Sequence, residues 1–85
     1  MVKVEIYMRD FCGFCSAAER LLKNKGIEYE RINIWEDPKR KSEMVERAKG
    51  KSTVPQIFIN NNHVGGCDEL FALEKAGRLD VLLAR

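Results

Sequence analysis

The stretch YMRDFCGFCSAAERLL, residues 7–22, contains two of the chain's three cysteines, Cys12 and Cys15. In VKVEIYM, residues 2–8, apolar residues alternate with polar ones, which is the two-residue period of a β-strand. After Cys15, apolar residues recur at helical spacing until Gly26, which predicts a helix that ends there. The cysteines are therefore expected between a strand and a helix, as a metal site, a structural disulfide or a reactive pair.

Residues 27–34, IEYERINI, resume the alternation and predict a second strand. A helix between two strands implies that the strands pair in parallel, since the helical crossover returns the chain to the same end of the sheet. Asp37 and Pro38 are typical of a helix start and predict a second helix, which ends near Gly50.

The last third of the chain predicts a hairpin and then a helix. PQIFI, residues 55–59, is typical of a strand, and HVGG, residues 63–66, predicts its antiparallel partner. The asparagines between them tolerate positive φ. Asp68 is expected to cap a helix that ends at Gly77, with one or two further turns after it. The order β-α-β-α-β-β-α predicts an α/β fold, a small mixed sheet of four strands with helices on both faces.

Composition bounds the class of protein. With 85 residues, 45% of them hydrophobic and 33% charged, the chain is expected to fold as one domain spanning residues 1–85. The net charge of +2 gives no basis for a nucleic-acid or membrane partner. Lys39–Lys41 is interpreted as a solvated helix start, and Trp35 as a partly buried surface aromatic. No signal peptide precedes the first strand, so we expect a cytoplasmic protein.

The chemistry of the pair follows from its place beside the helix. At a helix N-terminus, unpaired N–H groups and the helix dipole favour a thiolate, and they can lower a cysteine pKa from about 8.5 into the range of roughly 3.5–7.5. Cys15 lies one turn further in, shielded by the helix. Cys12 is therefore predicted to attack a disulfide and Cys15 to resolve the mixed disulfide that results.

Two other interpretations of the cysteines stay open at this point. An ordinary buried thiol pair is one, because free cysteine is among the most buried residue types. A zinc site is the other, since Cys12 and Cys15 together with His63 and Cys67 form a Cys3His set with acceptable spacing within each half. Against zinc, Cys15 continues into an apolar-striped helix and His63 falls on the predicted hairpin, so we expect no metal.

Three longer segments carry a resemblance: VEIYMRDFCGFC, TVPQIFINNNHVGGCDEL and ALEKAGRLDVLL. Taken together they make the chain similar to the glutaredoxins, most of all the short bacterial dithiol members, over nearly its whole length. The resemblance implies a thioredoxin fold with a cis peptide bond between Val54 and Pro55. It also implies a glutathione-dependent thiol–disulfide oxidoreductase that reduces protein disulfides and glutathione mixed disulfides.

The resemblance further implies a glutathione groove beside Cys12 and Cys15. The backbone of Val54 would pair with the cysteine of glutathione, and Asp68 with the backbone around Cys67 would meet its γ-glutamyl end. Arg9 would pair with a glutathione carboxylate, and Phe14 would form an apolar wall. The residues implied to bind glutathione are Arg9, Phe14, Thr53, Val54, Pro55, Gly66, Cys67 and Asp68.

The partners implied are glutathione as the reductant, disulfide-containing or glutathionylated proteins as substrates, and an NADPH-linked glutathione reductase upstream. A monomer is expected. Gly13 departs from the proline that most dithiol members carry, and Cys-Gly-Phe is similar to the monothiol members that bind iron–sulfur clusters. The alternative function is therefore a carrier or sensor of a [2Fe–2S] cluster, dimeric with glutathione and held through Cys12.

Overall fold

The computed structural model describes residues 2–84. The chain forms four strands and four helices in the predicted order, with the last predicted turns forming a short fourth helix. The elements are β1 Val4–Met8, α1 Gly13–Asn24, β2 Glu30–Asn33, α2 Pro38–Arg47, β3 Gln56–Ile59, β4 Asn62–Gly65, α3 Cys67–Lys75 and α4 Leu79–Leu82.

The strands form one mixed sheet in the order β2-β1-β3-β4. β1 and β2 pair in parallel across the α1 crossover, whereas β3 is antiparallel to both β1 and β4. The two-residue loop between β3 and β4 consists of Asn60 and Asn61, whose φ angles are 51° and 68°. Positive φ at both central residues is what a type I′ hairpin turn requires, so the prediction for this asparagine turn is confirmed.

Helices cover both faces of the sheet and divide the core in two, as predicted. On one face Leu22 of α1, Leu70 of α3 and Leu79 of α4 pack against Ile6 and other residues of the sheet, and all four are fully buried. On the other face, Met44 of α2 packs in a cluster with buried side chains of the sheet: Tyr7, Ile32 and Phe58. The central strands are therefore covered on both sides.

The second face holds a buried ionic cluster that the strand pattern did not predict. Glu5 and Tyr7 fall on the polar positions of the β1 alternation, yet they are only 6% and 0% exposed. Arg47 of α2 donates to both carboxylate oxygens of Glu5, at 2.9 and 3.2 Å, and to the Tyr7 hydroxyl at 2.8 Å. Tyr7 donates to Glu43, and burial together with this hydrogen bond raises the pKa of Tyr7. The apolar and polar residues that alternate along β1 therefore point to opposite faces of the sheet, and both faces are buried.

Several predicted element boundaries differ from those observed. Asp68 does not cap α3: the cap residue is Gly66, and Asp68 is the second residue of the helix. Asp37 is the cap residue of α2 as predicted, but its side chain makes no capping hydrogen bond. β2 is four residues long because its ladder with β1 begins only at Glu30. Within residues 2–84 the longest helix has 12 residues, and no helix is long and apolar enough to span a membrane.

Gly65 has a backbone conformation and close surroundings that disfavour any side chain at this position. Its φ is +120°, and a Cβ placed there would lie 2.8 Å from Oε1 and 2.9 Å from Cγ of Glu69. That carboxylate accepts the Gly66 N–H at 2.6 Å, so it cannot move without giving up this bond. We expect Gly65→Ala to lower the free energy of unfolding by about 2 kcal/mol, measured by urea unfolding.

Gly13→Ala is the matched control for this substitution. A Cβ at Gly13 would meet no atom within 4 Å, and alanine favours a helix over glycine, so stability should change by no more than about 1 kcal/mol. Equal stability of the two variants would contradict the steric argument at Gly65.

Candidate active site

Cys12 and Cys15 lie at the junction of β1 and α1, where the sequence predicts them. Cys12 is the residue before the first turn of α1, and its Sγ accepts the backbone N–H of Cys15 at 3.1 Å. The two cysteines form a disulfide with their Cα atoms 5.2 Å apart. Cys15 is buried at 1% exposure, whereas Cys12 is partly exposed. Only one of the two sulfurs is therefore open to a second molecule.

The electrostatic setting of Cys12 follows from the helix that it caps. The first N–H groups of a helix have no partners within the helix, and together with the helix dipole they favour negative charge. The first turn of α1 contains no acidic residue that would offset this effect. Once the disulfide is reduced, this environment stabilises a thiolate at Cys12.

The loop before β3 contains a cis peptide bond between Val54 and Pro55, and Pro55 lines a cavity together with Phe14, which lies between the two cysteines in the sequence. Gln56, which is buried, anchors this loop, because its Nε2 donates to the Thr53 carbonyl and hydroxyl oxygens at 3.0 and 3.2 Å. Its Oε1 lies 2.6 Å from Nε2 of His63. Since an amide oxygen can only accept, His63 Nε2 donates this hydrogen bond. Burial, and next the positive charge of Lys51, lowers the pKa of His63.

A cavity of about 170 Å³ lies at Phe14, between the two cysteines in the sequence, and brings together most of the residues predicted to bind glutathione. This cavity is the groove at Phe14. The residues lining it are Phe14, Thr53, Pro55, Gly66, Cys67, Asp68 and Glu69. Phe14 is 67% exposed and forms one wall, and the N-terminus of α3 forms another. Burial, reinforced by the neighbouring carboxylates of Asp68 and Glu69, raises the pKa of the Cys67 thiol. This third cysteine is therefore a poor nucleophile.

Arg9 lies elsewhere. A second cavity of about 530 Å³ is the one that Cys12 lines, and Arg9 lines it together with Phe11 and Arg31. The Arg9 guanidinium donates to the carbonyl oxygens of Asp10 and Phe11 at 2.8 and 3.1 Å. It is not among the residues lining the groove at Phe14, so its role toward glutathione stays a prediction.

Sequence reasoning missed two features of this region. Glu69 lines the groove and accepts the Gly66 N–H, and the pairing of a cap residue with glutamate three positions later could have revealed it. Phe11 and Trp35 form a ring pair with centroids 6.4 Å apart. They come from two separate loops, so no local pattern could have paired them.

The zinc alternative does not match the geometry. Cys12 and Cys15 are bonded to each other, and His63 pairs with Gln56 and stacks on Phe58 with ring centroids 5.0 Å apart. In the described part of the chain, no three His, Cys, Asp or Glu side chains lie close enough together to hold a metal ion.

The sequence and the fold of this chain are both similar to those of known proteins. The glutaredoxin family model matches residues 4–64. Glutaredoxin 3 of Escherichia coli K12 is 45% identical over 83 residues, which cover 98% of this chain and 99% of the relative. The solution structure of glutaredoxin from Brucella melitensis superposes with a TM-score of 0.84 at 51% identity, covering 98% of this chain and 89% of that one.

The crystal structure of a buckwheat glutaredoxin–glutathione complex superposes with a TM-score of 0.86 at 26% identity, covering 94% of this chain and 74% of that one. These neighbours confirm the thioredoxin fold that the sequence resemblance implied. The family model, the close relative and the Cys12–Cys15 pair agree: this chain belongs to the glutaredoxin family and has its thiol–disulfide oxidoreductase chemistry.

Proposed function

We propose that the protein is a glutathione-dependent oxidoreductase that reduces protein disulfides and glutathione mixed disulfides. The observation that carries this proposal is the asymmetry of the pair: Cys12 is partly exposed at the α1 N-terminus and lines an open cavity, whereas Cys15 is only 1% exposed. We further propose that it acts as a cytoplasmic monomer, supplied with glutathione by an NADPH-linked glutathione reductase.

In the proposed reaction the Cys12 thiolate attacks one sulfur of the substrate disulfide. A bond forms between Cys12 Sγ and that sulfur, the substrate's S–S bond breaks, and the second substrate sulfur leaves as a thiolate that takes a proton. With a protein disulfide, the Cys15 thiolate then attacks Cys12 Sγ and releases the second substrate thiol. Two electrons have passed from the protein to the substrate, which leaves Cys12 and Cys15 joined as a disulfide. Two glutathione molecules then reduce this disulfide and become glutathione disulfide.

The groove at Phe14 supports the proposal that glutathione binds there. Within residues 2–84, no group hydrogen-bonds to the backbone N–H or C=O of Val54, so both are free to pair with an extended peptide. At the other end of the groove, the α3 N-terminus suits a carboxylate, and the exposed carboxylate of Asp68 suits an ammonium group. The γ-glutamyl end of glutathione carries both charges, and a buckwheat glutaredoxin of similar structure forms a complex with glutathione.

The direct test is turnover of a small glutathione mixed disulfide, coupled to NADPH oxidation through glutathione reductase. Robust turnover by the wild-type protein would establish the activity. Negligible turnover by the folded protein would refute the proposal. If purification without oxygen and with glutathione then gave a coloured protein with visible absorption, the [2Fe–2S] alternative held through Cys12 would replace it.

Cys15→Ser should separate the two activities. A glutathione mixed disulfide needs only Cys12, since a second glutathione molecule can regenerate it, so turnover of the small substrate should stay within about three-fold of wild type. Reduction of a protein disulfide needs the second thiol to release the product and should fall by at least about 100-fold. Parallel measurement of both substrates checks this expectation, and equal losses would contradict the division of roles.

A further inference from the structure

We propose that Phe11 and Trp35 form a docking platform for protein substrates, which receives an apolar side chain next to the substrate's reacting cysteine. This inference rests on the proposed function, because it assigns a specificity surface to the same nucleophile. Phe11 immediately precedes Cys12, and its ring contacts Trp35 from the loop after β2. The platform and the glutathione groove are built from different residues.

The two aromatic side chains are largely exposed to solvent, so they contribute little to the hydrophobic core. Phe11 is 93% exposed and Trp35 is 52% exposed. Phe11 also has a φ of 55°, a left-handed conformation that is uncommon for any residue with a bulky side chain. A strained aromatic residue held in water beside the nucleophile contributes little to the fold. Large exposed aromatic rings are the side chains that most often carry binding energy at protein interfaces.

Polar contacts hold the platform in one arrangement. The Arg9 guanidinium lies 5.2 Å from the centre of the Trp35 ring while its N–H groups bind the carbonyl oxygens of Asp10 and Phe11. Asn33 joins the two loops, because its Oδ1 accepts the Trp35 N–H at 2.9 Å and its Nδ2 donates to Asp10 at 3.0 Å. The rings are thus positioned before a partner arrives, which reduces the entropy lost on binding.

The partner that would cover the platform is a protein substrate, because the platform lies next to Cys12, the residue with which the substrate's sulfur reacts. A protein substrate must bring its own sulfur to Cys12, and its chain continues in both directions from that cysteine. The groove at Phe14 can bind the substrate chain on one side of this cysteine, as it would bind glutathione. The other direction must leave past the residue that adjoins Cys12 on the opposite side, which is Phe11. A flanking apolar side chain would there cover exposed aromatic surface.

The test uses two peptide substrates of equal charge, each of which presents its cysteine in a disulfide. They differ only in the residues that flank this cysteine, which are Phe in one peptide and Ser in the other. We expect the wild-type protein to reduce the Phe peptide with about ten-fold higher kcat/KM. In the double variant Phe11→Ser/Trp35→Ser, the kcat/KM values of the two peptides should differ by no more than about two-fold. Phe71→Ser is the matched control, since Phe71 is exposed on α3 and lines neither the groove at Phe14 nor the cavity at Cys12, and it should keep the ratio of the two kcat/KM values.

A second measurement needs neither turnover nor an altered platform. Trp35 is the only tryptophan, so its fluorescence reports on the platform alone. When Cys15→Ser protein is disulfide-linked through Cys12 to each peptide, the Phe peptide should shift Trp35 emission to the blue and reduce its quenching by acrylamide. The Ser peptide should leave both unchanged.

Three results would overturn the platform. They are equal wild-type kcat/KM for the two peptides, a ratio that survives in the double variant, and a dimer that depends on Phe11 in size-exclusion chromatography. The last would show that a second copy covers the rings. Failure of the proposed function is distinguishable from these results, since it would appear as loss of wild-type turnover with the small glutathione mixed disulfide, which the platform does not affect.

Discussion

Cys12→Ser is expected to reduce turnover of a glutathione mixed disulfide by at least about 10³-fold, because the reaction loses its nucleophile. A serine hydroxyl does not ionise near neutral pH, even at a helix N-terminus, so no anion would be present to attack sulfur. Neither remaining thiol can replace it. Cys15 is 1% exposed, and burial with neighbouring carboxylates raises the pKa of Cys67. The measurement is the coupled NADPH assay with equal amounts of folded protein.

The matched control for Cys12→Ser is Cys15→Ser, which also prevents the disulfide but keeps the nucleophile. Serine is itself a favourable helix-capping residue, so the substitution at Cys12 should leave α1 intact. Circular dichroism of both variants against reduced wild type checks this. Activity above a few per cent of wild type in Cys12→Ser would contradict the assignment, and mass spectrometry of the glutathione adduct would then identify the sulfur that reacts.

Local sequence patterns predicted the parts of the site that depend on neighbours in the chain. The strand, the cysteine pair and the helix follow one another within residues 2–24, so their periodicities were enough to place Cys12 at a helix N-terminus. The hairpin turn was equally local, since Asn60 and Asn61 supply the positive φ angles themselves. The groove came from the family resemblance, which relates the loop at Pro55 to the cysteines without any local signal.

The features that sequence patterns missed depend on contacts between distant segments. Glu5 was assigned to a polar face because nothing near it in the sequence shows that α2 covers that face with Arg47. The cap of α3 was misplaced by two residues because Asp68 has the stronger intrinsic preference, whereas the capping bond is made by Glu69 to the Gly66 N–H. The pairing of Phe11 with Trp35 likewise depends on how two loops meet.

The largest expected effect on stability comes from the ion pair between Glu5 of β1 and Arg47 of α2. In Arg47→Met the carboxylate of Glu5, whose side chain is 7% exposed, loses both of its hydrogen bonds and its counter-charge. Removing one partner of a fully buried ion pair costs roughly 3–5 kcal/mol. Since the Arg47 side chain is 25% exposed, water can reach part of the vacated space, and we expect a loss of about 2–3 kcal/mol.

For a domain of this size such a loss corresponds to a decrease in Tm of roughly 10–20 °C. The measurement is thermal and urea unfolding at neutral pH. Arg20→Met is the matched control, because Arg20 is exposed on α1 and should change stability by less than about 0.5 kcal/mol. Methionine retains much of the alkyl packing that Arg47 provides over Phe58, whose ring centre lies 4.0 Å from the guanidinium carbon.

One further variant separates the effect of an unpaired charge from that of lost packing. Adding Glu5→Gln to Arg47→Met removes the stranded charge, so the double variant should be more stable than Arg47→Met alone. If Glu5→Gln restores no stability to Arg47→Met, packing over Phe58 accounts for the loss and the ion pair does not.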